Sequence, residues 1–308
     1  MTGQPEGLIS IQDFIRWGAS RFNEAGLFFG HGCDNALDEA AELVLSALHL
    51  PADFPGAYRD CRLTPDERGA VAALIERRVR ERCPVAYLTR RARFAGLDFL
   101  VTEDVLVPRS PLAELVEDGF APWLDPEQIG RVLDLGTGSG CIGIAAAVYL
   151  PEASVDLVDV SPRALVVAAA NVARFDLAER VRVIESDLFS ALAGQCYDLI
   201  VSNPPYVAVE ELSALPAEYH AEPGLALAGG DDGLDLVREI LRQAAEHLTP
   251  HGVLICEVGS SAEALEWQFP EVPFTWLEFA RGGDGVFLLT REQLVAYAAS
   301  FAGAGRLA

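Results

Sequence analysis

The chain has 308 residues, 51% of them hydrophobic, enough for one large or two modest domains with a full core. Its formal charge is −23. Phosphate binding draws on basic faces, so this balance argues against a protein that grips DNA by itself and favours a basic partner. Every one of the 23 cationic side chains other than histidine is arginine. The six cysteines, at 33, 61, 83, 141, 196 and 256, include no pair at C-x-x-C spacing. We expect reduced thiols and a cytoplasmic protein. The first residues lack a basic stretch followed by an apolar one, and no apolar run is long and uncharged enough to span a bilayer, so neither a leader nor a membrane helix is expected.

The predicted elements begin with helices. Leu8, Ile11, Phe14, Ile15 and Phe22 recur at helical spacing. A second helix is expected near Leu37 to Leu50, stopping before Pro51. A third starts at Thr64, with Pro65 just inside and Glu67 three residues on, which is a capping box; Pro84 lies just past its end. Phe94 to Val101 alternates around Gly96 and reads as a hairpin, followed by extended chain to Val107 and Pro108-Arg109-Ser110-Pro111. From Arg131 the pattern becomes short β-rich runs, at 132–135, 155–158, 181–184, 197–201 and 252–256, separated by helical ones. That alternation predicts a Rossmann-like α/β fold with a mostly parallel sheet covered on both faces. The runs 274–278 and 286–289 flank Arg281 to Gly285 and predict a terminal antiparallel hairpin, completing seven strands. The expected division is a helical substrate-recognition domain over 1–90, a hairpin and linker over 91–111, and a catalytic domain over 112–308.

Two motifs carry chemistry. Asp134-Leu135-Gly136-Thr137-Gly138-Ser139-Gly140 lies between a strand and a helix, where glycines allow a tight turn and close ligand approach beside a helix N-terminus. Gly138-x-Gly140-x-x-Gly143 also fits the dinucleotide fingerprint, and Asp159 ends the next strand at the distance of a ribose-binding acid. This motif predicts an adenosine-containing ligand without choosing between a nicotinamide cofactor and S-adenosylmethionine. Asn203-Pro204-Pro205-Tyr206 separates them. The prolines fix the backbone and remove two donors, leaving carbonyls free to accept, and the asparagine adds one donor and one acceptor group. Such a turn suits a planar group bearing NH₂. Tyr206 can pack over that group and face a sulfonium cation.

These two motifs resemble the class I methyltransferases of planar amines, which comprise the HemK/PrmB glutamine methyltransferases and the DNA adenine or cytosine amine methyltransferases. Other segments are similar to the PrmB branch: Gly30-His31-Gly32, Asp34-Asn35, Asp38-Glu39-Ala40, Pro84 to Leu88, Val107 to Pro111, Glu218-Tyr219, Glu222-Pro223, Asp232-Gly233-Leu234 and Phe274 to Phe279. Cys33, Ala36 and His220 are small departures within them. The release-factor branch tends to carry Pro-Arg-Pro at the Pro108 site. The resemblance covers about Ile11 to Leu294 and implies methylation of a glutamine in the third protein of the large ribosomal subunit, free or in an assembling particle, with S-adenosylmethionine converted to S-adenosylhomocysteine. The alternatives are a release-factor glutamine methyltransferase or a DNA amine methyltransferase.

On this reading the Asn203 side-chain oxygen and the Pro204 carbonyl accept the two hydrogens of the target amide, and Tyr206 packs on its plane beside Pro205. Gly136, Thr137, Gly138, Ser139 and Gly140 line the amino-acid end of the cofactor. Asp159 holds the ribose, Asp187 meets the adenine amine, and Asp134 orients the loop or the cofactor ammonium. No metal site is expected, since the five histidines lack ligand spacing and are assigned to surface or helix-end positions, with His31 a residue that orders the N-terminal domain. Ser110 and Ser139 read as turn residues, and Arg109 as either the partner of an acid at the domain junction or a substrate contact. Seven arginines between Arg77 and Arg93 read as a solvated face paired with Glu76 and Glu81, or as an RNA contact.

Overall fold

A computed structural model describes residues 7–303. Met1 to Glu6, on which the expectation about a leader rests, lie outside the described residues. Four helices come first: α1 (Ile11–Glu24), α2 (Ala36–Ala47), α3 (Pro65–Glu81) and α4 (Val85–Thr89). Each of the first three starts where a side chain can satisfy orphan amides. Ser10 and Asp13 form a reciprocal box on α1, the Asn35 side chain accepts from Leu37 and Asp38, and Thr64 pairs with Glu67 around Pro65. Phe14, Phe22, Leu43, Val44, Val71 and Ile75 form their shared core. The helices approach closely because residue 18 is glycine: a Cβ there would meet Ala40 and Ile75 at 3.2 Å.

Strands β1 (Arg91–Phe94) and β2 (Leu97–Leu100) form the expected hairpin. Its turn places Ala95 and Gly96 both at positive φ, the pattern of a two-residue type I′ turn. The chain then runs extended to α5 (Leu112–Glu117) and enters the alternating part: β3 (Arg131–Leu135), α6 (Cys141–Tyr149), β4 (Ser154–Asp159), α7 (Pro162–Arg174), β5 (Val181–Glu185), β6 (Tyr197–Ser202), α8 (Val209–Leu212), α9 (Asp235–Gln243), β7 (Leu248–Glu257), α10 (Ala262–Gln268), β8 (Thr275–Trp276), β9 (Val286–Thr290), α11 (Arg291–Ala296) and α12 (Ala298–Gly303).

The seven-stranded sheet has the order β5-β4-β3-β6-β7-β9-β8. The pairs β5/β4, β4/β3, β3/β6 and β6/β7 are parallel, while β9 runs antiparallel to both β7 and β8. This is the class I methyltransferase fold with its reversed terminal hairpin. Alternate strand residues feed two cores: Val132, Leu157 and Val201 face one layer, and Leu133, Val158 and Ile200 the other. Strand β8 is shorter than its apolar run suggested. It sits at the sheet edge with two pairs to β9, while Phe274 leaves the ladder to pack edge-on against Phe287. The chain steps outward from β3 through β4 to β5 and then crosses back to β6 on the other side of β3, so a crevice opens above the carboxyl ends of β3, β4 and β6, where open α/β sheets bind ligands.

The arginine-rich stretch departs from a purely solvated face. Arg77 and Arg80 do pair with Glu81, and Glu76 takes Arg21. Arg78, however, is 1% exposed and donates to Glu39 at 2.5 Å, with Glu218 3.6 Å from its other side. Arg82 pairs with the same Glu218 at 2.9 Å. A guanidinium can be buried here because carboxylates from two distant segments surround it. Among the described residues no helix is long and apolar enough to cross a membrane.

Candidate active site

The crevice begins with the loop after β3. Asp134 is fully buried beneath it and accepts from the Thr137 hydroxyl at 2.6 Å and the Gly143 amide at 2.9 Å. Burial pushes its carboxyl up to about 6, and these two donors act against that rise. Gly143 has no room for a side chain, because a Cβ would lie 2.3 Å from Leu157 and 3.0 Å from Asp134; helix α6 therefore seats directly on the strands. Gly138 differs: it sits at φ +54°, and a Cβ would meet nothing within 4 Å, so its side faces open space. Asp159, at the end of β4, accepts the Gly138 amide at 2.9 Å and the Ser161 amide at 2.8 Å. The acid thus fixes the loop while remaining only half-buried.

A cavity of about 410 Å³ lies above this loop. Gly136, Thr137, Gly138, Ser139, Asp159 and Asp187 line it. Asn203 and Pro205 line it from the end of β6, and Pro108, Arg109 and Ser110 close the side toward the helical region. Asp134, Gly140, Pro204 and Tyr206 do not line it. Asp134, Gly140 and Pro204 are buried, and Tyr206 turns its hydroxyl to Glu257 and its ring to Gly259. Asp134 holds the loop through Thr137 and Gly143, one of the two roles the sequence left open to it. Ser202 donates to the Leu135 carbonyl at 2.8 Å, which ties the end of β6 to that of β3 and brings the two motifs together. Among the described residues, the Asn203 side chain has no protein hydrogen-bond partner, so its oxygen and NH₂ are available to a ligand.

The Tyr206 hydroxyl donates to Glu257 at 3.1 Å, and its ring lies against the Gly259 backbone, where a Cβ would come within 2.5 Å. Burial first, then the neighbouring Glu257 charge, push the phenol well above its ordinary range. Glu257, at the end of β7, also accepts the Ser110 hydroxyl at 2.5 Å. Burial raises this carboxyl to about 6. Ser110 is thus more than a turn residue: it is buried and anchored from across the site.

A second set of acids joins the helical region to the chain following the Asn203 turn. Glu222 receives both Arg109 Nη atoms at 2.6 and 2.7 Å, the Val107 amide at 3.1 Å, and His31 at 3.6 Å. Burial would raise its carboxyl, but the facing His31 and Arg109 outweigh it and hold it at about 2. Arg109 therefore pairs with an acid at the junction, the first of its two readings, while also lining the cavity. Glu218 accepts the Phe28 amide at 3.1 Å beside Arg78 and Arg82. His31 is buried against Tyr219, not a surface histidine. Glu257 escaped the reading of the sequence, although it follows an apolar strand at the carboxyl edge, the same signal that singled out Asp159.

The cavity can take a nucleoside-bearing cofactor: a glycine cradle faces open space, a half-buried acid stands at the end of β4, and Asp187 lies at the next strand end. A family model described as the methyltransferase small domain matches residues 119–217. The chain is 56% identical over 292 residues to a ribosomal protein uL3 glutamine methyltransferase of Xanthomonas campestris pv. campestris, covering 95% of this chain and 94% of that one. Proteins of the same description from Neisseria meningitidis serogroup B and Xylella fastidiosa are each 54% identical over 290 residues, covering 94% of this chain and 95% and 93% of theirs. A glycine loop and an Asn-Pro-Pro-Tyr turn meeting at one cavity, in a chain this similar along almost its whole length, make it a member of the ribosomal protein uL3 glutamine methyltransferase family.

Proposed function

We propose that this protein methylates the side-chain nitrogen of a glutamine in ribosomal protein uL3, with S-adenosylmethionine as donor and S-adenosylhomocysteine as product. The observation that carries the reading is the Asn203 amide group, unpaired within the protein and facing the glycine-lined cavity, in a chain more than half identical to uL3 glutamine methyltransferases. Gly136 to Gly140 would hold the amino-acid end of the cofactor, Asp159 the ribose and Asp187 the adenine amine. Bound there, the sulfonium supplies an electrophilic methyl group.

The protein's own residues supply orientation. An amide nitrogen is a poor nucleophile because its lone pair is delocalised into the carbonyl. The Asn203 side-chain oxygen and the Pro204 carbonyl would accept its two hydrogens, which turns the lone pair toward the cavity and stabilises the charge that develops on nitrogen. Orientation of this kind is worth roughly 7–11 kcal/mol at its best. Tyr206 would pack on the amide plane. Residues 1–90 are our candidate for the part that reads the substrate. A chain of charge −23 suits a basic ribosomal protein, alone or in the assembling subunit, and a cytoplasmic setting, and is unsuited to DNA.

Asn203→Ala tests the assignment. Turnover should fall by at least about a hundredfold, as for loss of a transition-state contact, while calorimetric cofactor affinity stays within about threefold. Wild-type turnover in this variant would remove Asn203 from the chemistry.

A further inference from the structure

Glu257 is a buried carboxylate that touches both sides of the candidate site. Its Oε1 accepts the Tyr206 hydroxyl at 3.1 Å and its Oε2 the Ser110 hydroxyl at 2.5 Å. Each hydroxyl has a single proton. The Ser110 oxygen meanwhile accepts the Leu112 amide at 3.1 Å, so its proton is committed to Glu257. The Tyr206 proton is committed likewise. The phenol therefore has no proton to offer a substrate amide. Glu257 is itself 4% exposed, and the other charged or titratable groups facing it are Arg109 and the neighbouring Cys256 thiol.

We propose that Glu257 is a positioning residue for methyl transfer: one carboxylate brackets Tyr206 of the amide-binding turn and Ser110 of the cavity wall, fixing the tyrosine as a flat platform and setting the width of the gap into which the target glutamine enters. This inference rests on the glutamine-methyltransferase reading and adds a residue to it. Both halves of the bracket must be in place together. The Tyr206 ring is pressed on Gly259, whose neighbour in space is the Gly285 backbone, so the platform has nowhere to retreat and only its tilt is left for Glu257 to set.

The test is a double-mutant cycle on E257Q and Y206F. Glutamine cannot accept from both hydroxyls at once, and phenylalanine keeps the ring but removes the Tyr206 tether, so both changes undo the same two-sided bracket. Each should lower kcat on uL3 about tenfold, since sub-ångström misplacement has effects of that order. The double variant should be no more than about twofold below the worse single one, because coupled residues are not additive. Cofactor affinity should stay within about twofold, and so should the affinity for unmethylated uL3 measured without cofactor. Multiplicative losses, or a folded E257Q with wild-type kcat, would overturn the bracket. Should E257Q fail to fold, S110A leaves Glu257 in place and removes the other donor; a several-fold lower kcat, non-additive with Y206F, is expected, and an unchanged kcat contradicts the inference. Wild-type enzyme that leaves uL3 unmethylated would instead strike at the methyltransferase reading. In that event the coupling is read from thermal melts of the same variants, where additive losses dismiss the bracket.

Discussion

Asp134 and Asp159 begin and end the same short circuit of hydrogen bonds, yet their environments differ. Asp159 is half-buried and faces the cavity, while Asp134 is sealed beneath the loop with its carboxyl raised to about 6 by burial. The sign of the consequence is fixed by linkage. A carboxyl with a folded value above its ordinary 3.8 favours the folded state most when protonated, and that contribution is lost as pH rises toward 6. Cofactor binding should respond in the opposite sense. The ionised form accepts more strongly from Thr137 and Gly143, which both reach its Oδ2, so affinity measured by calorimetry should weaken as pH drops from 8 through about 6, and a flat profile would remove this role. Asp134→Ala leaves two donors unsatisfied at about 1–3 kcal/mol each, which predicts a loss of roughly 2–6 kcal/mol in denaturant unfolding. Both acids were visible in the sequence because each ends an apolar strand beside a glycine or helix start. Glu257 stands in the same kind of position, but its partners Ser110 and Tyr206 are 147 and 51 residues away, and no local pattern announces them.

At the scale of elements, the glycine loop and helix α6 behind it carry two glycines, Gly138 and Gly143, with different reasons to be glycine. Gly143→Ala puts a methyl group 2.3 Å from Leu157, an overpacking that should destabilise by about 1–3 kcal/mol in chemical melts. Gly138→Ala meets no neighbour but holds a positive φ, so its cost to folding should be nearer about 1 kcal/mol. Its methyl group points into open space at the cavity, so the larger effect should fall on cofactor affinity. Equal stability losses with unchanged affinity in both variants would contradict this division. Strands and helices of the alternating region were readable because period and turn residues agree with tertiary packing there. The edge strand β8 was not, since its apolar run serves side-chain packing more than backbone pairing.

Over the whole molecule, the helical region and the chain beyond Asn203 are joined by buried ion pairs. Glu218 and Glu222 meet Arg78, Arg82, Arg109 and His31, most of them buried. Removing one member strands the others, so Arg78→Ala, which leaves Glu39 and Glu218 facing each other, should cost about 3–5 kcal/mol in a thermal or denaturant melt. A loss below about 1 kcal/mol would mean that the cluster is hydrated and weak. The spacing of these arginines suggested an exposed face because sequence shows charge but not the distant acids that let it be buried.

The central claim is methyl transfer to a glutamine of uL3. The most direct measurement follows radiolabelled methyl from S-adenosylmethionine into separated ribosomal proteins and release factors that lack the modification. Label confined to uL3 and mapped to a glutamine side chain is the expected result, whereas label in a release factor or in DNA, with none in uL3, would contradict it.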